Sequence, residues 1–299
     1  MRLHKSIAFA ATLALLALLA LLAAGCGSSK KSSAAKSQSC AKADLQLVNG
    51  GMLTIGTDNP AFPPWFGGSP AKGSPWKISD PTSGQGFEGA VAYAVADKLG
   101  FAKDEVKWVV VPFDQSFKPG SKSFDFDVNQ VSFSPQRAQS VDFSDSYYDV
   151  NQALVAISGT PITKAKTIAD LKSFKFGVQL GTTSFDYVDQ NIQPDQKPSV
   201  YSNSNDVNSG LKSHGVEGIV TDLPTAYYIT GAEQVPNSVI VGQFPTVGGT
   251  PEHFGLVLEK GSGLTACVNK ALAALKADDT LATIQREWLS QKTSVPTLN

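Results

Sequence analysis

The stretch FDFDVNQVSFSPQRAQSVDFSDSYYD, residues 124–149, reads as a buried strand, a short loop and the start of a helix. Ser134 can cap that helix, because its hydroxyl accepts an orphan backbone N–H. Pro135 suits the first helical position, where no N–H is needed. Arg137 then falls in the first turn, where the helix end is already positive and a further cation is disfavoured. An arginine in that place makes sense if an anion lies between it and the exposed N–H groups. The plainer alternative is a surface arginine with a distant acidic partner.

Working outward, strands and helices alternate. Residues 52–57 (MLTIGT) form a short apolar strand, followed by Asp58-Asn59-Pro60 and an aromatic, proline-rich loop, Phe62-Pro63-Pro64-Trp65-Phe66. Prolines beside aromatics make a stiff wall of ring faces. Residues 66–85 are rich in Gly, Pro and Ser and read as a surface insertion. Gly86-Phe87-Glu88-Gly89 opens a helix on which Val91, Val95 and Leu99 recur every four residues, and Gly100 ends it. Glu88 suits the helix N-terminus on dipole grounds. Further strands are expected at 106–111, 152–157, 174–179, 218–221, 239–241 and within 252–259. Gly181-Thr182-Thr183-Ser184 turns into a helix beginning near Phe185. Hydroxyl-bearing small residues there make either a plain cap or an anion cradle. Leu264, Cys267, Val268, Ala271 and Leu275 share one helical face, and Thr280 can cap a last helix carrying Leu281, Ile284 and Trp288. The alternation argues for an α/β architecture.

The chain has 299 residues, 42% of them hydrophobic, enough for one large core or two modest ones. Its formal charge of −1 shows no basic excess, which argues against nucleic acid as a partner. Residues 1–25 read as a targeting segment: Arg2 and Lys5, then an apolar run, then Leu-Ala-Ala-Gly before Cys26. That ending resembles the lipobox of bacterial lipoproteins, in which Cys26 becomes the lipidated N-terminus. The alternative is an uncleaved membrane helix. Either way the remaining chain is expected outside the cytoplasm, tethered to a membrane. Residues 26–51 are expected to form a flexible tether. Cys40 lies in it and Cys267 lies near the C-terminus. In an oxidising compartment the two are expected to pair, contributing roughly 2–5 kcal/mol, with two free thiols as the alternative.

Ser-Pro-Gln-Arg-Ala at 134–138, Val-Asp-Phe-Ser at 141–144 and the pair Tyr147–Tyr148 resemble the signature of the bacterial extracellular solute-binding proteins of polar amino-acid ABC importers. The resemblance runs through most of the chain beyond Met52. Residues 124–130 depart from it, since the commoner pattern there is aliphatic and ends in glycine. The resemblance implies a type II periplasmic-binding-protein-like fold of two lobes, each a mixed sheet flanked by helices. Residues 52–149 and 254–299 would form lobe one and 150–253 lobe two. Two crossings, near 148–152 and 252–254, would join them.

A free amino acid carries a carboxylate and an ammonium, and burying either unpaired costs several kcal/mol. The resemblance implies that Arg137 grips the carboxylate in a bidentate fork, with Ser132 and the backbone and hydroxyls of Thr182 and Thr183 as further donors. Asp222, in Thr-Asp-Leu-Pro, would receive the ammonium, helped by the Gln130 carbonyl, although Asp222 can equally be a helix cap. Phe62, Trp65 and Phe113 would flank the ligand side chain. Asp58 matches a position that contacts basic side chains in this family, or else closes a turn. Arginine, lysine, ornithine and glutamine are all open as ligands. The implied partners are the amino acid, the permease subunits of an ABC transporter and the membrane through a lipid anchor. The protein would be a monomer, with no cofactor or metal. Two rivals remain. One is a dehydratase-like enzyme of the same fold, for which Asp58 and Glu88 are the available acids. The other is a ligand-sensing surface receptor.

Overall fold

The fold, a computed structural model, describes residues 39–248, 251–289 and 295–299. The expected signal segment, the lipidation at Cys26 and the first part of the tether lie outside the described residues. Twelve strands follow in chain order: β1 (Leu53–Thr57), β2 (Val106–Val110), β3 (Phe126–Asp127), β4 (Val141–Phe143), β5 (Tyr148–Val150) and β6 (Gln152–Ile157), then β7 (Phe176–Gln179), β8 (Ser199–Tyr201), β9 (Gly218–Asp222), β10 (Ser238–Gln243), β11 (Glu252–Phe254) and β12 (Val257–Glu259). The helices are α1 (Phe87–Lys98), α2 (Phe113–Ser116), α3 (Thr183–Tyr187), α4 (Ser204–Lys212), α5 (Leu223–Gly231), α6 (Thr265–Ala277) and α7 (Thr280–Leu289).

The strands form two five-stranded sheets, ordered β2-β1-β3-β12-β4 and β10-β6-β9-β7-β8. Each is mixed: β1 runs parallel to β2 and β3, while β12 is antiparallel to β3 and β4. Between the sheets, β5 pairs antiparallel with β11, Glu252 opposite Val150 and Phe254 opposite Tyr148. The two expected crossings therefore exist and are hydrogen-bonded to each other. This is the type II two-lobed α/β fold.

Apolar spacing accounts for the first core. Val91 and Val95 of α1 and Val268, Leu272 and Leu275 of α6 are buried with Leu53, Ile55 and Phe126 of the sheet. All five residues of the expected α6 face are buried. Gly86, at φ +88°, lets α1 start against the aromatic loop: a Cβ there would lie 2.4 Å from the Phe66 Cα.

Several expectations need correction. Residues 39–51 are not a free tether: Cys40, Leu45 and Leu47 pack on the first core, the Val48 N–H donates to Asp125 (2.8 Å), and Cys40 is disulfide-bonded to Cys267 of α6. Lobe one does not keep the end of the chain. Thr297 bridges Gln243, the Leu298 N–H donates to the Gln243 carbonyl (2.9 Å), and Leu298 is buried in the second core beside Phe244. The insertion is not purely superficial, since its Trp76 belongs to the first core. The helix expected after Ser134 shrinks to one 3₁₀ turn, Arg137–Gln139, because the chain re-enters the sheet at Val141. The strands β4, β5 and β8 and the helices α2 and α4 are additions to the expected elements.

Candidate functional site

Between the lobes lies a cavity of about 540 Å³, within the usual range of small-molecule sites. It opens at the C-terminal ends of β1, β7 and β9, where open α/β sheets present loops and helix starts to ligands. Asp58, Asp114, Asp206 and Asp222 line it, and Arg137 is the cation among its described lining residues.

Arg137 stands on the short turn that Ser134 initiates, the Ser134 hydroxyl accepting from the Arg137 N–H at 3.2 Å. The expected cap is thus present without the expected helix. The guanidinium donates through Nη1 to the Ser132 carbonyl (2.6 Å) and through Nη2 to the Gly181 carbonyl (2.6 Å), so one lobe-one side chain reaches the Gly181–Thr183 turn of lobe two. Its flat face lies over Phe117 and Phe113, 4.4 and 5.7 Å from the ring centroids, a cation–π arrangement. Burial pushes its pKa down to about 10, which leaves it charged at neutral pH.

On the lobe-two side, Thr182 caps α3: its hydroxyl accepts from the Phe185 N–H (3.1 Å) and donates to the Gln179 carbonyl (2.8 Å). The Thr183 and Ser132 hydroxyls both donate to Oε1 of Glu252, each at 2.5 Å, and Gln152 Nε2 donates to Oε2 at 2.9 Å. Gln152 accepts in turn from the Ser184 hydroxyl at 2.7 Å. Glu252, on the crossing strand β11, therefore gathers donors from both lobes. Nothing in the sequence singled it out, since its partners lie 120, 100 and 69 positions away. A hydroxyl has one hydrogen to give. In this structure both hydrogens are directed to Glu252, while Ser132 and Thr183 line the cavity.

Asp222 closes β9 and caps α5, accepting from the Thr225 N–H at 2.9 Å, so its alternative reading as a cap holds while it also lines the cavity. Burial lifts its pKa to about 6, against the pull of the Thr225 hydrogen bonds. Asp58 follows β1 and accepts from the Asn59 N–H at 2.6 Å, the turn-closing contact, and its carboxyl likewise faces the cavity. Burial raises its pKa, while backbone donors at Asn59 and Phe113 lower it.

Phe113 begins α2 and meets Phe117 edge to face at 5.3 Å, and it lines the cavity with the half-buried Phe62. Trp65 also lines the cavity, but from within the core. It is 2% exposed, packs on Phe87, Tyr148 and Phe254, and donates from Nε1 to the Thr225 hydroxyl of lobe two (3.1 Å). Its ring thus serves both core and cavity wall, and its indole N–H joins the lobes. Gln130 has φ +47°, a conformation uncommon for a side-chain-bearing residue. Both its N–H and its amide donate to Glu88, which also accepts from the Tyr147 hydroxyl. A buried carboxylate thus holds the turn at Gln130.

The model of the bacterial extracellular solute-binding proteins, family 3, matches residues 68–291. The ABC transporter arginine-binding protein 1 of Escherichia coli (strain K12) is 28% identical over 175 residues, 57% of this chain and 68% of that protein. An ancestral arginine-binding protein bound to arginine superposes with a TM-score of 0.65 at 32% identity, covering 80% of this chain and 99% of that one. The structure of an ancestral arginine-binding protein bound to glutamine gives 0.64 at 32% identity, over 81% and 99%.

Proposed function

Because the chain belongs to the bacterial extracellular solute-binding proteins of family 3, we propose that it captures a free amino acid between its lobes, favours a cationic side chain, and delivers it to the permease of an ABC importer. The observation that carries this reading is the charge layout of the cavity. One guanidinium spans the two lobes, while Asp58 and Asp222 line the same space. An α-carboxylate matches Arg137 and the N–H groups around Thr182 and Thr183. An α-ammonium matches Asp222, with the Gln130 carbonyl and the lone pairs of Ser132 and Thr183 as neutral acceptors. That leaves Asp58 for a second positive charge, which arginine, lysine and ornithine have and glutamine lacks. Phe62 and Phe113 flank the aliphatic stem.

The ligand then stabilises the closed form by contacts that only both lobes together supply, with bending at the paired crossings β5 and β11. Cys26 carries the lipid that holds the monomer at the outer face of the membrane. We favour binding over turnover, with Asp58 read as the partner of a side-chain cation. Glu88, which a dehydratase would need free, is enclosed and held by Tyr147 and Gln130. A surface receptor would use the same cleft and differs only in the partner that reads closure.

Calorimetry against the common amino acids tests the reading. Arginine, lysine or ornithine should bind more tightly than glutamine, and Arg137→Ala should weaken binding about 100-fold or more, because a buried carboxylate loses its counter-charge. Full binding by Arg137→Ala, or no binding of any amino acid by the unaltered chain, would refute it.

A further inference from the structure

The insertion reaches the cleft through one side chain. Asn59 Nδ2 donates to the Pro75 carbonyl (2.8 Å) and Asn59 Oδ1 accepts from the Lys77 N–H (3.0 Å), so both ends of the amide are taken by the insertion's backbone. Two residues on, Ala61 forms a parallel bridge with Ile78, and between these contacts Trp76 is buried in the core that holds Trp65 and Phe66. The far side of the insertion is equally tied. Gly67 donates to the Gln85 carbonyl (2.8 Å), the Ser83 hydroxyl to the Gly67 carbonyl (3.0 Å), and Asp80 caps the turn that follows it. Ile78 sits at φ +68°, a conformation that a β-branched residue keeps only where its surroundings impose it. Inside this frame the Asn59 N–H donates to the Asp58 carboxylate at 2.6 Å, beside a second backbone donor at Phe113.

We infer that residues 67–85 are a specificity element: they hold Asn59, and through its backbone they set where the Asp58 charge stands in the cleft. Asn59 is a positioning residue, and the inference rests on the reading of Asp58 as partner of a cationic side chain. A salt bridge is sensitive to geometry, and a neutral side chain does not depend on it. Loss of the tether should therefore change selectivity more than affinity in general.

The experiment compares the intact chain with Asn59→Ala, Asp58→Asn and the double variant, measuring L-arginine and L-glutamine binding by calorimetry. Asn59→Ala should lower the arginine-to-glutamine affinity ratio about tenfold, and in the double variant it should add nothing to Asp58→Asn. Equal losses for both ligands, or additive losses in the double variant, would overturn the inference. Should Asn59→Ala fold poorly, Asn59→Ser serves with the same criteria. A chain that binds neither ligand defeats the reading of the cleft, and a second readout then decides the present inference: ¹³C NMR titration of the Asp58 carboxyl. Its midpoint should move in Asn59→Ala, because the loop sets both the burial that raises it and the Asn59 hydrogen bond that lowers it. An unmoved midpoint would sink the idea.

Discussion

The first-lobe sheet buries a carboxylate on each face, and the two live in different surroundings. Side chains alternate along a strand. Phe126 therefore joins the core under α1 and α6, while its neighbour Asp127 points to the other face, across from Val257 and the small cluster of Val131 and Val141. On the α1 face, Glu88 is fully buried and accepts from the Tyr147 hydroxyl, the Gln130 N–H and the Gln130 amide. On the other face, Asp127 is equally buried and neither of its oxygens has a hydrogen-bond partner among the described residues. Burial raises the Glu88 pKa to about 7, opposed by its donors. Asp127 is pushed well above its ordinary value by burial and by the nearby charges of Glu88 and Asp58. The contrast shows that a buried acid becomes structural when donors come with it. Without them it is a cost that the rest of the lobe offsets.

The contrast is sharpest under substitution. Glu88→Ala leaves a buried hydroxyl, an N–H and an amide without their acceptor, and should destabilise the protein by about 3 kcal/mol in urea unfolding. A loss under 1 kcal/mol would mean that those donors find other partners. Asp127→Val should act in the opposite direction and stabilise by about 2 kcal/mol, since an apolar side chain of strand-forming shape replaces an unpaired carboxyl. A destabilised Asp127→Val would show that Asp127 is satisfied in solution after all. The pH dependence follows the same line. A carboxyl whose pKa is raised by folding binds its proton more tightly in the folded state. Its contribution is full at low pH and is lost as pH climbs through the folded value. For Glu88 that window runs from the ordinary 4.5 up to about 7. Stability of the ligand-free protein should decline across it, and Glu88→Gln should make the decline shallower, leaving the part that Asp222, raised to about 6, contributes. The smallest effect is expected for Tyr147→Phe, about 1 kcal/mol, because Glu88 keeps two donors.

How far the sequence could be read depended on the range of the interaction. Local patterns carried α1, α6 and α7, whose spacing of Val, Leu and Ile marks a buried face, and the strands of both sheets except the three-residue β4 and β8. Local capping rules also carried the positions of Ser134, Thr182 and Asp222. The stretch 199–212 gave little, because the helix there buries only Val207, Gly210 and Leu211 among serines and asparagines. Glu252 was invisible for a different reason: an acid in a crossing strand becomes a hub only when three distant donors converge on it. Trp65 was only half legible: it lines the cavity as the prolines beside it suggest, but Phe87, Tyr148 and Phe254, two of them distant in sequence, also bury its ring. The end of the chain was placed with the wrong lobe because backbone bonds to Gln243 and Ile168, with one buried leucine, hold it, and none of these leaves a sequence pattern.

That last placement has a practical side. The Cys40–Cys267 link fixes the front of the described chain to α6 in one lobe, whereas Thr297 and Leu298 dock beside Gln243 in the other. A donor dye near residue 40 and an acceptor dye appended after Asn299 would ride on separate halves. Their energy transfer would report the opening and shutting of the jaws directly, with no label near the cleft.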